Sequence, residues 1–174
     1  EYKPHSYKDA ANSLPDLVAR LSNLPLAHQP GERRTYGISN DVQGLFMARA
    51  DNTTAPQLLA NRITQPLGMD DTDFCVKPLS KDRLTAMYQA DDAGVVSLLE
   101  APQDSAFTCP VAVASFSGGL VSTINDYYQF AQMLNSGGSH QGEPLLTPSS
   151  VKLLATPQAF VEEGDWVKGA DWGL

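Results

Sequence analysis

Ser117-Gly118-Gly119-Leu120-Val121-Ser122-Thr123-Ile124-Asn125-Asp126-Tyr127 reads as a small-residue loop running straight into a helix. Thr123 offers a hydroxyl to the unpaired N–H groups of the first turn, and Asp126 stands where a capping-box partner belongs. Ile124, Tyr127, Tyr128, Ala131 and Leu134 recur at helical spacing and supply the expected apolar side. Gly137-Gly138 closes the helix. The loop ahead of it has two readings. Ser117, Gly118 and Gly119 either line the edge of a pocket, where small residues let a substrate approach the backbone, or form a plain tight turn.

Other helix starts follow the same chemistry. Ser13-Leu14-Pro15-Asp16 predicts a helix with Leu14, Leu17, Val18 and Leu21 on one stripe, ended by Leu24-Pro25-Leu26. Ser39 or Asn40 is expected to cap a helix through Val42, Leu45, Phe46 and Ala50. Thr54-Ala55-Pro56 starts a third, with Leu58, Leu59 and Ile63 buried and Pro66 as its stop. Thr147-Pro148 starts the last, burying Val151 and Leu154. Leu84–Tyr88 and Val95–Leu99 read as strands around the turn Asp91-Asp92-Ala93-Gly94. The pattern predicts a mainly α chain with a short β-hairpin.

Charge and composition exclude several functions. The 174 residues carry a formal charge of -8, and the longest basic run is Arg33-Arg34, so nucleic acid is not an expected partner. The acidity also argues against an anionic membrane surface. No run of about eighteen apolar residues offers a membrane span. No glycine-rich nucleotide motif and no His/Cys/carboxylate spacing for a metal is present, so no cofactor and no metal is expected. Cys75 and Cys109 lie far apart and read as two buried free thiols, with a disulfide between them the alternative.

Several stretches resemble one family in order and spacing. Leu24-Pro25-Leu26, Gln29-Pro30-Gly31 and Tyr36-Gly37-Ile38-Ser39-Asn40-Asp41-Val42 come first. Pro66-Leu67-Gly68-Met69-Asp70-Asp71-Thr72-Asp73-Phe74 follows, then Ser117–Tyr127, then Gly137-Gly138 and Glu143-Pro144-Leu145-Leu146-Thr147-Pro148. Together they resemble class C β-lactamases and their esterase relatives, among the penicillin-recognising serine hydrolases, over nearly the whole chain. That family transfers acyl groups through a serine in S-x-x-K, assisted by a tyrosine and by a third motif of the K-T-G, H-x-G or W-x-G type. Serine needs a neighbouring base to become a nucleophile, and lysine one helical turn away shares its face. A tyrosine oxygen near both can relay the proton.

The resemblance implies that Tyr36 is the catalytic tyrosine. Two residues on, Ile38 stands where class C β-lactamases carry an asparagine that contacts the substrate amide, which favours the esterase-like branch. No S-x-x-K precedes Tyr36. The S-x-x-K at Ser149-Ser150-Val151-Lys152 follows it instead, in ordinary helix-start surroundings, and His140-Gln141-Gly142 copies an H-x-G only in letters. The third motif is expected beyond Leu174.

The implied architecture is the helical lobe of the α+β penicillin-binding-protein-like fold, with residues 1–174 a single incomplete domain. The flanking sheet and S-x-x-K segments are expected outside it. The implied function is that of part of a serine hydrolase acting on an ester or cyclic amide, inactive as this segment alone. A non-catalytic binding scaffold on the same fold is the alternative. The missing sheet is expected to leave an apolar face, with self-association as its consequence.

Overall fold

The computed structural model of the chain describes residues 13–26, 28–29 and 37–156. Tyr36 and the terminal tryptophans lie outside the described residues.

Helix α1 (Leu14–Leu21) starts as expected: the Ser13 side chain accepts the Asp16 N–H at 3.2 Å, and Leu14 and Leu17 are buried. Helix α2 (Ser39–Ala50) departs from expectation. Its N-cap is Ile38, with no side-chain cap, so Ser39 and Asn40 are already helical. Its buried face is Asp41, Gly44, Leu45 and Ala48, while Val42 and Phe46 are exposed. The stripe is turned because Gly44 admits another side chain: a Cβ there would sit 2.0 Å from the Phe116 ring.

Helix α3 (Ala55–Leu59) carries the capping box of Thr54 and Gln57. It widens into a π turn over Ala60–Thr64 and ends as α4 (Gln65–Leu67). Pro66 does not stop it. Pro66 has no N–H for the carbonyl of Arg62, and the wider turn before it accommodates that gap. The stop is Gly68, left-handed at φ 65°. The Gly68 N–H donates to Gln65 O and the Met69 N–H to Thr64 O, the paired bonds of a Schellman ending.

From Met69 the chain runs through a turn into two single-residue bridges. Asp73 pairs with Val121, and Val76 pairs with Thr108. The second bridge lays residues 75 and 109 side by side. Cys75 and Cys109 form a disulfide with Cα atoms 5.1 Å apart, which corrects the expectation of free thiols. Local sequence gave no sign of this, because 34 residues separate the partners.

Between the cysteines lie two 3₁₀ turns (Pro78–Arg83 and Pro102–Asp104) and the expected hairpin. Strands β1 (Met87–Ala90) and β2 (Val96–Glu100) pair antiparallel, with Tyr88 opposite Leu98 and Ala90 opposite Val96. Asp91 organises the turn by accepting the Ala93 and Val95 N–H groups. Tyr88, Val96, Leu98 and Leu99 are all more than half exposed.

Helix α5 (Ile124–Asn135) starts at Thr123 as expected, but of its expected apolar side only Leu134 turns inward. Met133 is buried and Phe130 and Leu134 pack beside it against Leu67 and Met69, whereas Ile124 is 90% exposed and Tyr127 and Tyr128 stand out in solvent. Strands β3 (Ser139–His140) and β4 (Glu143–Pro144) form a two-residue hairpin around Gln141-Gly142. Helix α6 (Pro148–Leu154) is capped by Thr147 but buries no residue fully, so Leu154 is exposed rather than buried. The described residues form two small cores: Leu14, Leu17, Leu45, Ala55 and Phe74 in one, Leu67, Met69 and Met133 in the other.

Candidate functional site

Half-buried Gly37 and Ile38, which follow Tyr36, lead into α2. One turn into that helix, Asp41 is fully buried. Its Oδ1 accepts the Phe116 N–H at 2.7 Å and the Ser117 N–H at 3.3 Å. The carboxylate therefore ties the Ser117-Gly118-Gly119 loop to the helix that Tyr36 precedes. Phe116 adds apolar support: its ring occupies the space Gly44 leaves and meets Phe74 edge-on, centroids 5.1 Å apart.

Within the loop the Gly119 N–H donates to Ser115 O at 2.9 Å and the Ser117 N–H reaches the buried Ser115 Oγ at 3.3 Å. Gly118 has φ 145°, a conformation side chains rarely adopt. The stretch is a tight turn held by hydrogen bonds to Ser115 and Asp41. Asp41 Oδ2 and the Ser117 hydroxyl are buried without a hydrogen-bond partner.

The far end of the loop is pinned separately. Asp73 and Val121 exchange backbone hydrogen bonds of 3.2 and 2.9 Å. Asp126 Oδ2 accepts the Asp71 N–H at 2.9 Å and the Thr72 hydroxyl at 2.8 Å. With its hydrogen given to the carboxylate, Thr72 Oγ1 receives Ser122 Oγ at 2.7 Å. Asp126 is thus no capping-box partner; it ties α5 to the turn after α4. Beside it, Arg83 grips Asp71 with two 2.6 Å bonds. That hydrogen bonding holds the Asp71 carboxyl below the ordinary aspartate range and raises the Arg83 guanidinium.

The two rejected motifs have local structural roles. Ser149 Oγ lies 2.8 Å from Thr147 Oγ1 in the first turn of α6, and both Ser149 and Lys152 are exposed. His140 pairs with Glu143 across the β3–β4 hairpin. A half-open apolar cavity of about 610 Å³ lies among Leu14, Leu45, Ala48, Phe74 and the disulfide, and its lining includes none of Ser117, Gly118 and Gly119. Among the described residues no group of three or more His, Cys, Asp or Glu is placed to hold a metal, and no helix is long and apolar enough to cross a membrane.

Sequence reasoning missed Asp41 as a buried group. The signal was present: an aspartate at i heads the series Asp41, Gly44, Leu45, Ala48, the spacing of a core-facing stripe.

The chain is similar to known proteins. Protein Rv1367c of Mycobacterium tuberculosis is 35% identical over 150 residues, which are 86% of this chain and 37% of that protein. EstCE1, a hydrolase with promiscuous acyltransferase activity, superposes with a TM-score of 0.68 at 22% identity, covering 83% of this chain and 40% of EstCE1. Simvastatin synthase (LovD) from Aspergillus terreus superposes with a TM-score of 0.65 at 21% identity, covering 84% of this chain and 39% of that one. The chain therefore spans less than half the length of these relatives. A family model described as Beta-lactamase matches residues 1–174, and the chain belongs to the β-lactamase family.

Proposed function

We propose that this chain is one part of a serine hydrolase that transfers acyl groups from esters or cyclic amides to water, and that Tyr36 is its proton-relay tyrosine. The residues 1–174 form the helical lobe of that enzyme, a single domain completed by a sheet and by an S-x-x-K segment. What supports the reading is that Tyr36 stands three residues ahead of α2 in the sequence, within the stretch that resembles the family's tyrosine motif, and that Asp41 of that helix holds the Ser117-Gly118-Gly119 loop. Substrate would approach this loop at Gly118, which is exposed and has open space where a side chain would stand.

Esters are favoured over β-lactams. Ile38 cannot donate to or accept from a substrate amide, whereas an asparagine can do both. No S-x-x-K stands ahead of Tyr36 within this sequence, so residues 1–174 alone are expected to give no turnover. The experiment is hydrolysis of a chromogenic ester by the protein with its flanking sequence, with and without Tyr36→Phe. Loss of the relay lowers the rate by about 10²–10⁴-fold. An unchanged rate removes Tyr36 from the mechanism, and turnover by residues 1–174 alone overturns the incomplete-site reading.

A further inference from the structure

Asp41 is an expensive residue to keep where it is. It is 0% exposed, and only one of its two carboxylate oxygens has a hydrogen-bond partner. Burying a carboxylate costs free energy that incomplete hydrogen bonding does not return, and a well-packed apolar side chain of similar size is often as stable or more so. Stability alone is a poor reason for an acid at this position.

What the carboxylate does, and an apolar side chain cannot, is hold two consecutive backbone N–H groups. Oδ1 accepts from both Phe116 and Ser117, so the direction of the chain entering Gly118 is set relative to α2. The Phe116 ring packs over Gly44, a second contact between the same segment and α2. Asp41 is five residues after Tyr36, within one helical turn of the start of α2.

We infer that Asp41 is a positioning residue for acyl transfer: it locks the Ser117-Gly118-Gly119 backbone to α2, so that the loop meets the substrate in one fixed position. The inference rests on the reading of Tyr36 proposed above. Its scale follows from geometry, since displacing a positioned group by about 1 Å can cost about 10²-fold in rate.

The test compares Asp41→Asn, Asp41→Glu, Asp41→Ala and Tyr36→Phe in the protein with its flanking sequence, using a chromogenic ester. Active sites are counted by the acylation burst, so that kinetics refer to folded enzyme only. Asparagine keeps an oxygen where Oδ1 stands; it is expected to hold kcat/KM within about threefold of the parent. Glutamate keeps the charge but pushes the loop away by one methylene, and is expected to lower kcat/KM per active site by about 10–100-fold, as is alanine. The order Asn above Glu is the signature of positioning, because a role for the charge reverses it. Parent-like kcat/KM per active site in Asp41→Glu overturns the inference, even if Asp41→Ala fails to fold. If Tyr36→Phe loses activity while Asp41→Glu does not, positioning fails and the Tyr36 reading survives. If Tyr36→Phe keeps full activity, or the parent shows no turnover, the Tyr36 reading itself falls and the inference with it.

Discussion

Asp41 and Phe116 are joined by a 2.7 Å hydrogen bond across 75 residues of chain, from the first turn of α2 to the loop that precedes α5. The Phe116 ring returns to the same helix one turn later, at Gly44. The bond and the ring contact form a single joint between two parts of the family's motif set that lie far apart in sequence.

Gly44→Ala tests the apolar half of that joint. The new Cβ would stand 2.0 Å from one Phe116 ring carbon and 2.4 Å from another, so the ring has to move. Overpacking of this kind costs about 1–3 kcal/mol. For a chain of this size that is a fall in Tm of roughly 2–12 °C. Phe116→Leu in the Gly44→Ala background should recover part of the loss, because the shorter side chain leaves the space free. Thermal unfolding that leaves Gly44→Ala within 1 °C of the parent would show that the ring is not held there.

Reducing the Cys75–Cys109 disulfide tests the base of the β1–β2 excursion. The bond closes a loop of 34 residues that contains both 3₁₀ turns and the exposed hairpin. The chain-entropy account gives about 3.8 kcal/mol for a loop of that length, within the usual range of about 2–4 kcal/mol. Cys75→Ser with Cys109→Ser should therefore lower the urea midpoint and speed amide exchange at Val76 and Cys109, whose N–H groups bond across this seam to Phe107 O and Val76 O. Equal stability of the oxidised and reduced protein would mean that the seam holds without the bond.

How far the sequence was readable depended on the range of each interaction. The starts of α1, α3, α5 and α6 were legible because Ser13, Thr54, Thr123 and Thr147 bond to an N–H three residues away. Faces were not. Helix α5 carries two apolar stripes, and the one that turns inward is chosen by Leu67 and Met69, some sixty residues upstream. The same holds for α2, where Phe116 selects the Gly44 face and leaves Phe46 exposed. The loop Ser117-Gly118-Gly119 could be picked out by composition, but its clamp came from an aspartate that looks like an ordinary helix-start acid in sequence.

Exposed apolar side chains set up a test of association. Val42 and Phe46 lie one turn apart on α2, the latter 71% exposed, and Ile124, Tyr127 and Tyr128 share a face of α5. If the rest of the fold covers such faces, residues 1–174 by themselves should associate, because contiguous exposed apolar surface is rarely tolerated by a monomer. Sedimentation velocity between about 5 and 200 μM should show mass rising with concentration, and Phe46→Lys with Ile124→Lys should suppress the rise. A single monomeric species throughout that range would count against a buried role for these faces.

Asp126 offers the sharpest stability test, because its two partners are satisfied by one oxygen. Oδ2 takes the Asp71 N–H and the Thr72 hydroxyl, and the residue is 8% exposed. Asp126→Ala strands both donors, and each stranded buried donor costs about 1–3 kcal/mol. A total near 2–4 kcal/mol is expected, below the simple sum because water can reach Asp71, which is only half-buried. Asp126→Asn retains an acceptor and should cost about half as much. Thr72→Val in the Asp126→Ala background removes one stranded hydroxyl, so the double variant should be less destabilised than the two single losses added together, with a coupling of about 0.5–3 kcal/mol. Thr123→Ala, which removes only the α5 cap, should cost about 1 kcal/mol. Urea denaturation decides the matter: if Asp126→Ala costs no more than Thr123→Ala, the aspartate is a local helix-start residue and the tie between α5 and the Asp71-Thr72 turn carries no weight.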